Sequence, residues 1–389
     1  MKSLRIIIVM LEPPLPFGNA AARWFYVLLK GLVDRGHQVT AFASCSNSLD
    51  IDKAKQIFPD YDLRCFPHPT RSGFLSKLET FREPYSYSFS SELKKQLNQE
   101  LTKPFDILHL EQLWTGWLGL EHKHKALLNI HHLIWIDQQF IKPTNIEQFI
   151  NRYLTFSTER KLINSFKYIR SCSPRLELEI KNANPDAKIT NIPVGIDLSQ
   201  YIFISDHHRS EQLILSLIGN MNWYPGYSAA IRLLTRLWAK IKGEVKDVKL
   251  QIVGWSARSA LHDYLDLPDV IITENVPDIR PYFESTSVFL YAPARGSGMK
   301  IKILEALAWG IPIVTTSEGV EGLPALDGMN VGICDHDEGL IERTIKLLQN
   351  PSLQNKQRLA GRSLIEEVCS PQITLDALES LYGKMISAR

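Results

Sequence analysis

A two-domain α/β protein, each domain a doubly wound Rossmann-like parallel sheet and the two facing across a cleft, is the fold class this sequence predicts. Three observations predict it. The 389 residues exceed one ordinary hydrophobic core. Short apolar runs suited to buried parallel strands alternate with amphipathic helical stretches. That alternation halts near residue 200 and begins again at Leu213.

Leu4 to Met10 is a continuous apolar run, read as a central strand. A loop from Glu12 to Asn19 follows, with three prolines and Gly18. Ala20 to Asp34 then has helical periodicity, with Ala21, Trp24, Phe25, Leu28, Leu29 and Leu32 near one face. Gly36 ends that helix and Gln38 to Ala43 forms the next strand, completing a βαβ unit. Further strands are expected at 106–110, 127–130, 168–173 and 188–192, with a long mixed-charge helix from Asn145 to Phe166. The linker is placed at Asp206, His207 and His208. Beyond it, strands at 213–218, 249–253, 270–273, 287–290 and 313–316 repeat the pattern, with a helix over Ser228 to Ile241. The expected domains are 1–198 and 199–372, and a helix over 373–389 is expected to pack back on the first.

Hydrophobic content of 44% and charge of 22% are those of a soluble globular chain. A net charge of +2 argues against a dedicated nucleic-acid binder. Residues 1–198 carry 25 Lys and Arg against 20 Asp and Glu, and the remainder 19 against 22. The basic excess of the first half reads as solvated surface, with peripheral contact to an anionic membrane face as the functional alternative. Cys45, Cys65, Cys172, Cys334 and Cys369 are scattered and odd in number, without metal-ligand spacing. A reducing cytoplasm is therefore expected, and neither a metal nor a cofactor. The opening apolar run, broken by Pro13 and Pro14, is too short for a signal peptide or a membrane span.

The block from Gly296 to Leu323, GSGMKIKILEALAWGIPIVTTSEGVEGL, carries the most chemistry. A glycine-flexed loop enters a short helix bearing one carboxylate, Glu305, and a second glycine-rich loop follows the strand after it. Loops at the carboxyl ends of parallel strands expose N–H groups, and helix N-termini favour anions. A phosphorylated ligand with hydroxyls fits such a site, and a nucleotide sugar meets both conditions.

Several segments, in order over more than 300 residues, resemble the family 4 (group 1) glycosyltransferases of GT-B fold. They are the Gly18 loop and its helix, Arg35-Gly36-His37-Gln38-Val39, Phe105-Asp106-Ile107-Leu108-His109, Asn129-Ile130-His131-His132 and Pro193-Val194-Gly195-Ile196-Asp197. In the second half they are Ile218-Gly219-Asn220-Met221-Asn222-Trp223, Ile252-Val253-Gly254 and the Gly296–Leu323 block. The resemblance implies retaining, metal-independent transfer of a sugar from a nucleotide-diphosphate donor to a hydroxyl acceptor. The acceptor would be a saccharide, a lipid-linked saccharide or a small molecule, and the donor would lie mostly on the second domain. Glu305 occupies the place of the glutamate that binds the ribose in such enzymes, and a carboxylate can accept from both hydroxyls of a diol.

Two departures stand out. Ser297 holds the position of a first glutamate that contacts the transferred sugar in the family. The Gly219–Gly226 loop, with Gly219 and Asn220, lacks the usual phosphate-binding Arg and Lys. Arg295, Lys300 and Lys302, flanking Gly296 and Gly298, become the candidate phosphate cations. Lys302 stands three residues before Glu305, on neighbouring helix surface, where an intrahelical ion pair is the structural alternative.

By the same resemblance His131 lies by the donor sugar as hydrogen-bond donor or acid/base, and Gly18 and Asn19 lie under the phosphates. Asn19 is also the natural N-cap of its helix. Gly319, Val320 and Glu321 are expected to approach the donor sugar or the diphosphate through backbone N–H groups, with Glu321 able to bind sugar hydroxyls. His109 and Glu111 are placed on a loop with an acceptor contact open to them. Trp114, Trp117 and Trp135 read first as packing residues, with acceptor stacking as the alternative. The competing functions are a catalytically weak scaffold subunit and a nucleotide-sugar epimerase. The absence of Gly-x-Gly-x-x-Gly from the first unit argues against a dinucleotide oxidoreductase.

Overall fold

The computed structural model describes residues 2–70, 83–139, 141–204 and 212–389. The expected linker at Asp206, His207 and His208 lies outside these residues. The chain divides into two compact units: Met1–Trp135 with Ile141–Ile196 and Pro371–Arg389, and Ile136–Phe140 with Asp197–Ser370.

The first unit holds a parallel sheet of β1 (Arg5–Met10), β2 (Gln38–Cys45), β3 (Asp62–Pro67), β4 (Ile107–Glu111), β5 (Ala126–Ile130), β6 (Tyr168–Ser171) and β7 (Lys188–Asn191). Their order is β3-β2-β1-β4-β5-β6-β7. Residues Ile6 to Met10 and all of β4 and β5 are buried, as expected of central strands covered on both faces. Ile6 pairs with Val39 on one side and with Ile107 on the other.

The helix Ala20–Asp34 starts where Asn19 Oδ1 accepts from the Ala22 N–H at 2.8 Å, a cap worth about 1 kcal/mol. It stops at Arg35, after which Gly36 takes a φ of 84°. The helix Pro371–Ser387 packs against it within the same unit. Gly31 gives the Leu375 side chain its room there, because a Cβ would meet that side chain at 2.2 Å and force it to shift. Arg35 reaches Asp376 at 2.7 Å and Glu379 at 2.6 Å, and His37 Nε2 donates to Glu379 at 2.8 Å. The buried Arg170 of β6 donates to the carbonyls of Ile192 and Pro193, fixing the chain as it leaves β7.

The second unit holds β8 (Ile214–Ile218), β9 (Lys249–Gly254), β10 (Val270–Glu274), β11 (Val288–Tyr291), β12 (Ile313–Thr315) and β13 (Gly332–Ile333). They form a second parallel sheet in the order β10-β9-β8-β11-β12-β13. The helix expected over 228–241 is longer and interrupted. It runs Tyr224–Arg232, passes through a π-turn at Leu233–Leu237, and resumes at Trp238–Glu244. Leu233, Leu234, Leu237 and Trp238 are all buried through this wider turn.

Candidate functional site

In each sheet the strand order reverses once, between β1 and β4 in the first and between β8 and β11 in the second. Ligands in open α/β sheets bind outside the carboxyl ends of strands at such a reversal. Gly219 directly follows β8, and Tyr291 ends β11 just before the Gly296–Gly298 loop and the helix Ile301–Trp309. The second reversal therefore coincides with the glycine-rich block.

Lys302 rises from the first turn of that helix. Its stem is half-buried, but its ammonium is sealed from solvent without a hydrogen-bond partner. Nζ lies 4.4 Å from the ring centroid of Tyr291 and 5.6 Å from that of Trp223. These ring faces compensate part of the desolvation. Burial, then the nearby charge of Lys300, push the Lys302 ammonium down to about 7, with Glu305 acting the other way. The Tyr291 hydroxyl is also buried without a partner, and burial followed by the charge of Asp137 raises its pKa. Arg295 Nε and Thr316 Oγ1 are buried and unpartnered beside this block. These open polar atoms in and beside the glycine-rich block make it the candidate ligand site, because buried polar groups otherwise find partners.

Glu305, one turn beyond Lys302, is buried, and the Tyr201 hydroxyl donates to its Oε1 at 2.9 Å. Tyr201 is set edge-on against Trp309 at 4.9 Å, which fixes that donor. Lys300 differs from expectation. Its buried Nζ donates to the carbonyls of Ser297 at 3.2 Å and Gly298 at 2.6 Å, so it fastens the loop on which it sits. Gly298 takes a φ of 70°, the left-handed turn that brings those carbonyls round. The Gly296 N–H donates to Glu318 Oε2 at 3.3 Å.

Ser297 is buried, and both its N–H and its hydroxyl donate to Asp137 Oδ1, at 2.6 and 2.8 Å. Asp137 ends the short helix Ile134–Asp137 and belongs to the 136–140 stretch that clusters with the second unit. Sequence reasoning missed it. Its place six residues after His131 was the available signal.

Asn220 is exposed and its Oδ1 accepts from the Asn222 N–H, stiffening the loop after β8. The Gly319 N–H, expected to face the ligand, donates to Thr316 O at 2.9 Å and is engaged within the turn. Val320 is buried and Glu321 half-buried beside it.

The first unit gathers a different set at its own reversal. Gly18 has a φ of 87° in open space, and Asn19 caps the helix. Glu12, which the sequence did not single out, is raised to about 6 by burial, against a hydrogen bond with Asn19 and with the charge of Asp50 adding to the rise. His109 and Glu111 lie on β4, fully buried, and not on a loop. Glu111 accepts from His109 Nε2 at 2.6 Å, from His131 Nε2 at 2.5 Å and from Trp24 Nε1 at 3.2 Å. The Tyr382 hydroxyl closes the far side by bonding His109 Nδ1. Burial pushes the Glu111 carboxyl up, but the charges and hydrogen bonds of His131 and His109 pull harder and leave it well below the usual carboxylate range. His131 remains partly exposed at the end of β5, its ring held by that carboxylate. Trp114 stacks on Tyr85 at 4.0 Å and Trp135 packs on Phe156 at 4.7 Å. Trp117 donates to Pro84 O.

Residues 21–200 match the family model described as Glycosyltransferase Family 4, and residues 212–350 match that described as Glycosyl transferases group 1. An uncharacterized glycosyltransferase of Haemophilus influenzae is 25% identical over 252 residues, 62% of this chain and 66% of that protein. The capsular polysaccharide biosynthesis glycosyltransferase CapM of Staphylococcus aureus is 25% identical over 198 residues, 47% of this chain and 52% of that protein. The chain thus spans between about half and just under two thirds of the length of these curated relatives. Among solved structures, sucrose-phosphate synthase from Thermosynechococcus elongatus superposes with a TM-score of 0.74 at 14% identity, covering 99% of this chain and 100% of that one. HepE of Anabaena, solved with UDP and glucose, gives 0.69 at 12% identity over 98% of this chain and 100% of that one.

Proposed function

We propose, for a chain that belongs to the group 1, family 4 glycosyltransferases of GT-B fold, that it moves a sugar from a nucleotide-diphosphate donor to a hydroxyl acceptor in glycan or polysaccharide biosynthesis. The second unit takes the donor and the first serves the acceptor. The observation that carries this reading is the Lys302 ammonium, buried without a hydrogen-bond partner at the strand reversal. A buried lone cation is costly, and a diphosphate would supply the missing counter-charge. Glu305 then receives the ribose hydroxyls, beside the donor Tyr201. Arg295 stands at the mouth of the same loop as a second cation.

Transfer proceeds with retention and without a metal. Lys302 and the N-terminus of the helix Ile301–Trp309 stabilise the departing diphosphate while positive charge grows at the anomeric carbon. The acceptor hydroxyl attacks from the face the leaving group vacates, and the departing phosphate takes its proton. From the first unit, His131 contributes a hydrogen bond or a proton, its ring oriented by Glu111.

A thermal-shift panel of UDP, GDP and ADP tests the reading, because a ligand that binds only the native state raises the melting temperature. One of the three should stabilise the protein, and Glu305→Ala should remove the shift. A wild-type chain indifferent to all three would end the proposal.

Peripheral contact with an anionic membrane surface is the accompanying proposal. Among the described residues no helix is long and apolar enough to cross a membrane. The helix Ile146–Ser165, however, exposes Ile146, Phe149, Ile150 and Tyr153, spaced as one helical stripe. Lys142 precedes the stripe, and Arg160 and Lys161 are exposed farther along. Apolar residues bordered by cations suit the headgroup boundary of anionic lipid. Vesicles containing phosphatidylglycerol should co-sediment the protein, and the double change Phe149→Ser with Tyr153→Ser should release it. Equal behaviour of wild type and variant would refute the contact.

A further inference from the structure

Asp137 has no role in the reading so far, yet it is a carboxylate buried in the heart of the second unit's site. Two hydrogen bonds from Ser297 fall on Oδ1, and Oδ2 receives none from any described residue. Fixing one oxygen of a carboxylate with two donors orients the other while leaving it open to accept. Nearby, the Tyr291 hydroxyl is buried and unpartnered, and its ring lies under the Lys302 ammonium. One aromatic side chain thus lies against an anion-seeking cation and feels the charge of that carboxylate. A ligand serving both needs a negative group adjacent to hydroxyls.

We infer that Asp137 is the carboxylate that accepts from hydroxyls of the transferred sugar in this chain, with Ser297 as the positioning residue that aims it. The inference rests on the nucleotide-sugar reading above and names the sugar-side contact within it. At position 297 a neutral side chain stands where an acid would act directly, and the acid arrives from a residue 160 positions earlier in the chain. A carboxylate beside a diphosphate is repelled by it unless it receives donors of its own. Sugar hydroxyls are such donors.

The alternative is that Asp137 merely ties its short helix to the Gly296–Gly298 loop. The change Asp137→Asn separates the two, because an asparagine Oδ1 still accepts both bonds from Ser297. Its Nδ2, in the place of Oδ2, can only donate. Calorimetry on the full chain would compare UDP, GDP and ADP with UDP-glucose, UDP-N-acetylglucosamine, GDP-mannose and ADP-glucose. In the best-binding pair, Asp137→Asn should leave the diphosphate affinity within about twofold and lower the extra affinity conferred by the sugar by about tenfold, as expected for a lost charged hydrogen bond. Ser297→Ala should lower it less.

An unchanged sugar increment in Asp137→Asn would overturn the inference, as would an equal loss for diphosphate and conjugate. A wild type that binds the diphosphate and its sugar conjugate equally would also overturn it while leaving the nucleotide reading intact. A wild type that binds no diphosphate would remove that reading and this inference together.

Discussion

A Cβ on residue 219 would stand 2.4 Å from the ammonium of Lys302, so the position just after β8 and the lysine on the Ile301–Trp309 helix compete for one volume. The absent side chain is what lets the cation reach the strand reversal. Gly219→Ala should fold, because the atom displaced is the far end of a flexible side chain. It should weaken binding of the preferred nucleoside diphosphate by about tenfold, the loss expected when one charged contact is pushed out of place. Calorimetry measures this, and undiminished affinity would show that Lys302 does not meet the phosphates.

Lys302 also makes the site pH-dependent. Its ammonium titrates near 7 in the folded chain and near the ordinary lysine value of 10.5 when unfolded. Between these values the unfolded chain holds the extra proton, so stability from this group rises with pH from about 7 to about 10.5. Lys302→Met removes the penalty and should stabilise the free protein at pH 6 to 7 by on the order of 2 kcal/mol. The gain should fade toward pH 10.5. Chemical denaturation at several pH values would reveal it.

Anion binding should restore the proton to Lys302. Binding of the diphosphate near pH 8 should therefore take up close to one proton, seen as a heat that depends on the ionisation enthalpy of the buffer. Affinity should fall as pH rises above about 7. Lys302→Met should abolish both effects. Buffer-independent heats in wild type would mean that the phosphate charge lies elsewhere.

Much of this was legible in the residues, for identifiable reasons. The helix Ala20–Asp34 has both a cap and a glycine stop, so its bounds could be read directly. β3 and β13 could not. The first is a mostly half-buried edge strand interrupted by Asp62 and Arg64 and ending in Pro67, and the second is two residues long. Lys300 and Lys302 are indistinguishable as residue types, and only backbone geometry turns one onto its own loop and the other to the strand reversal. Asp137 is farther still from any local pattern, because its partner Ser297 is fixed by tertiary structure alone.

Glu111 supports the last prediction. Buried in β4, it accepts from His109, His131 and Trp24, and its pKa lies below the unfolded carboxylate value. A depressed carboxyl pKa contributes stability that is fully present above about pH 4.5 and is lost as pH falls below it toward the folded value. Glu111→Gln keeps the size but removes the charge facing two imidazoles, and should cost about 3 kcal/mol at pH 7. Because the glutamine does not titrate, the gap between variant and wild type should close progressively on acidification below pH 4.5. The variant should also release the His131 ring, lowering turnover more than diphosphate affinity, since His131 belongs to the first unit and the diphosphate is assigned to the second. Urea unfolding from pH 7 down to pH 3, with calorimetry on the same samples, tests both parts. A stability gap constant with pH would show that the charge of Glu111 does not hold this network.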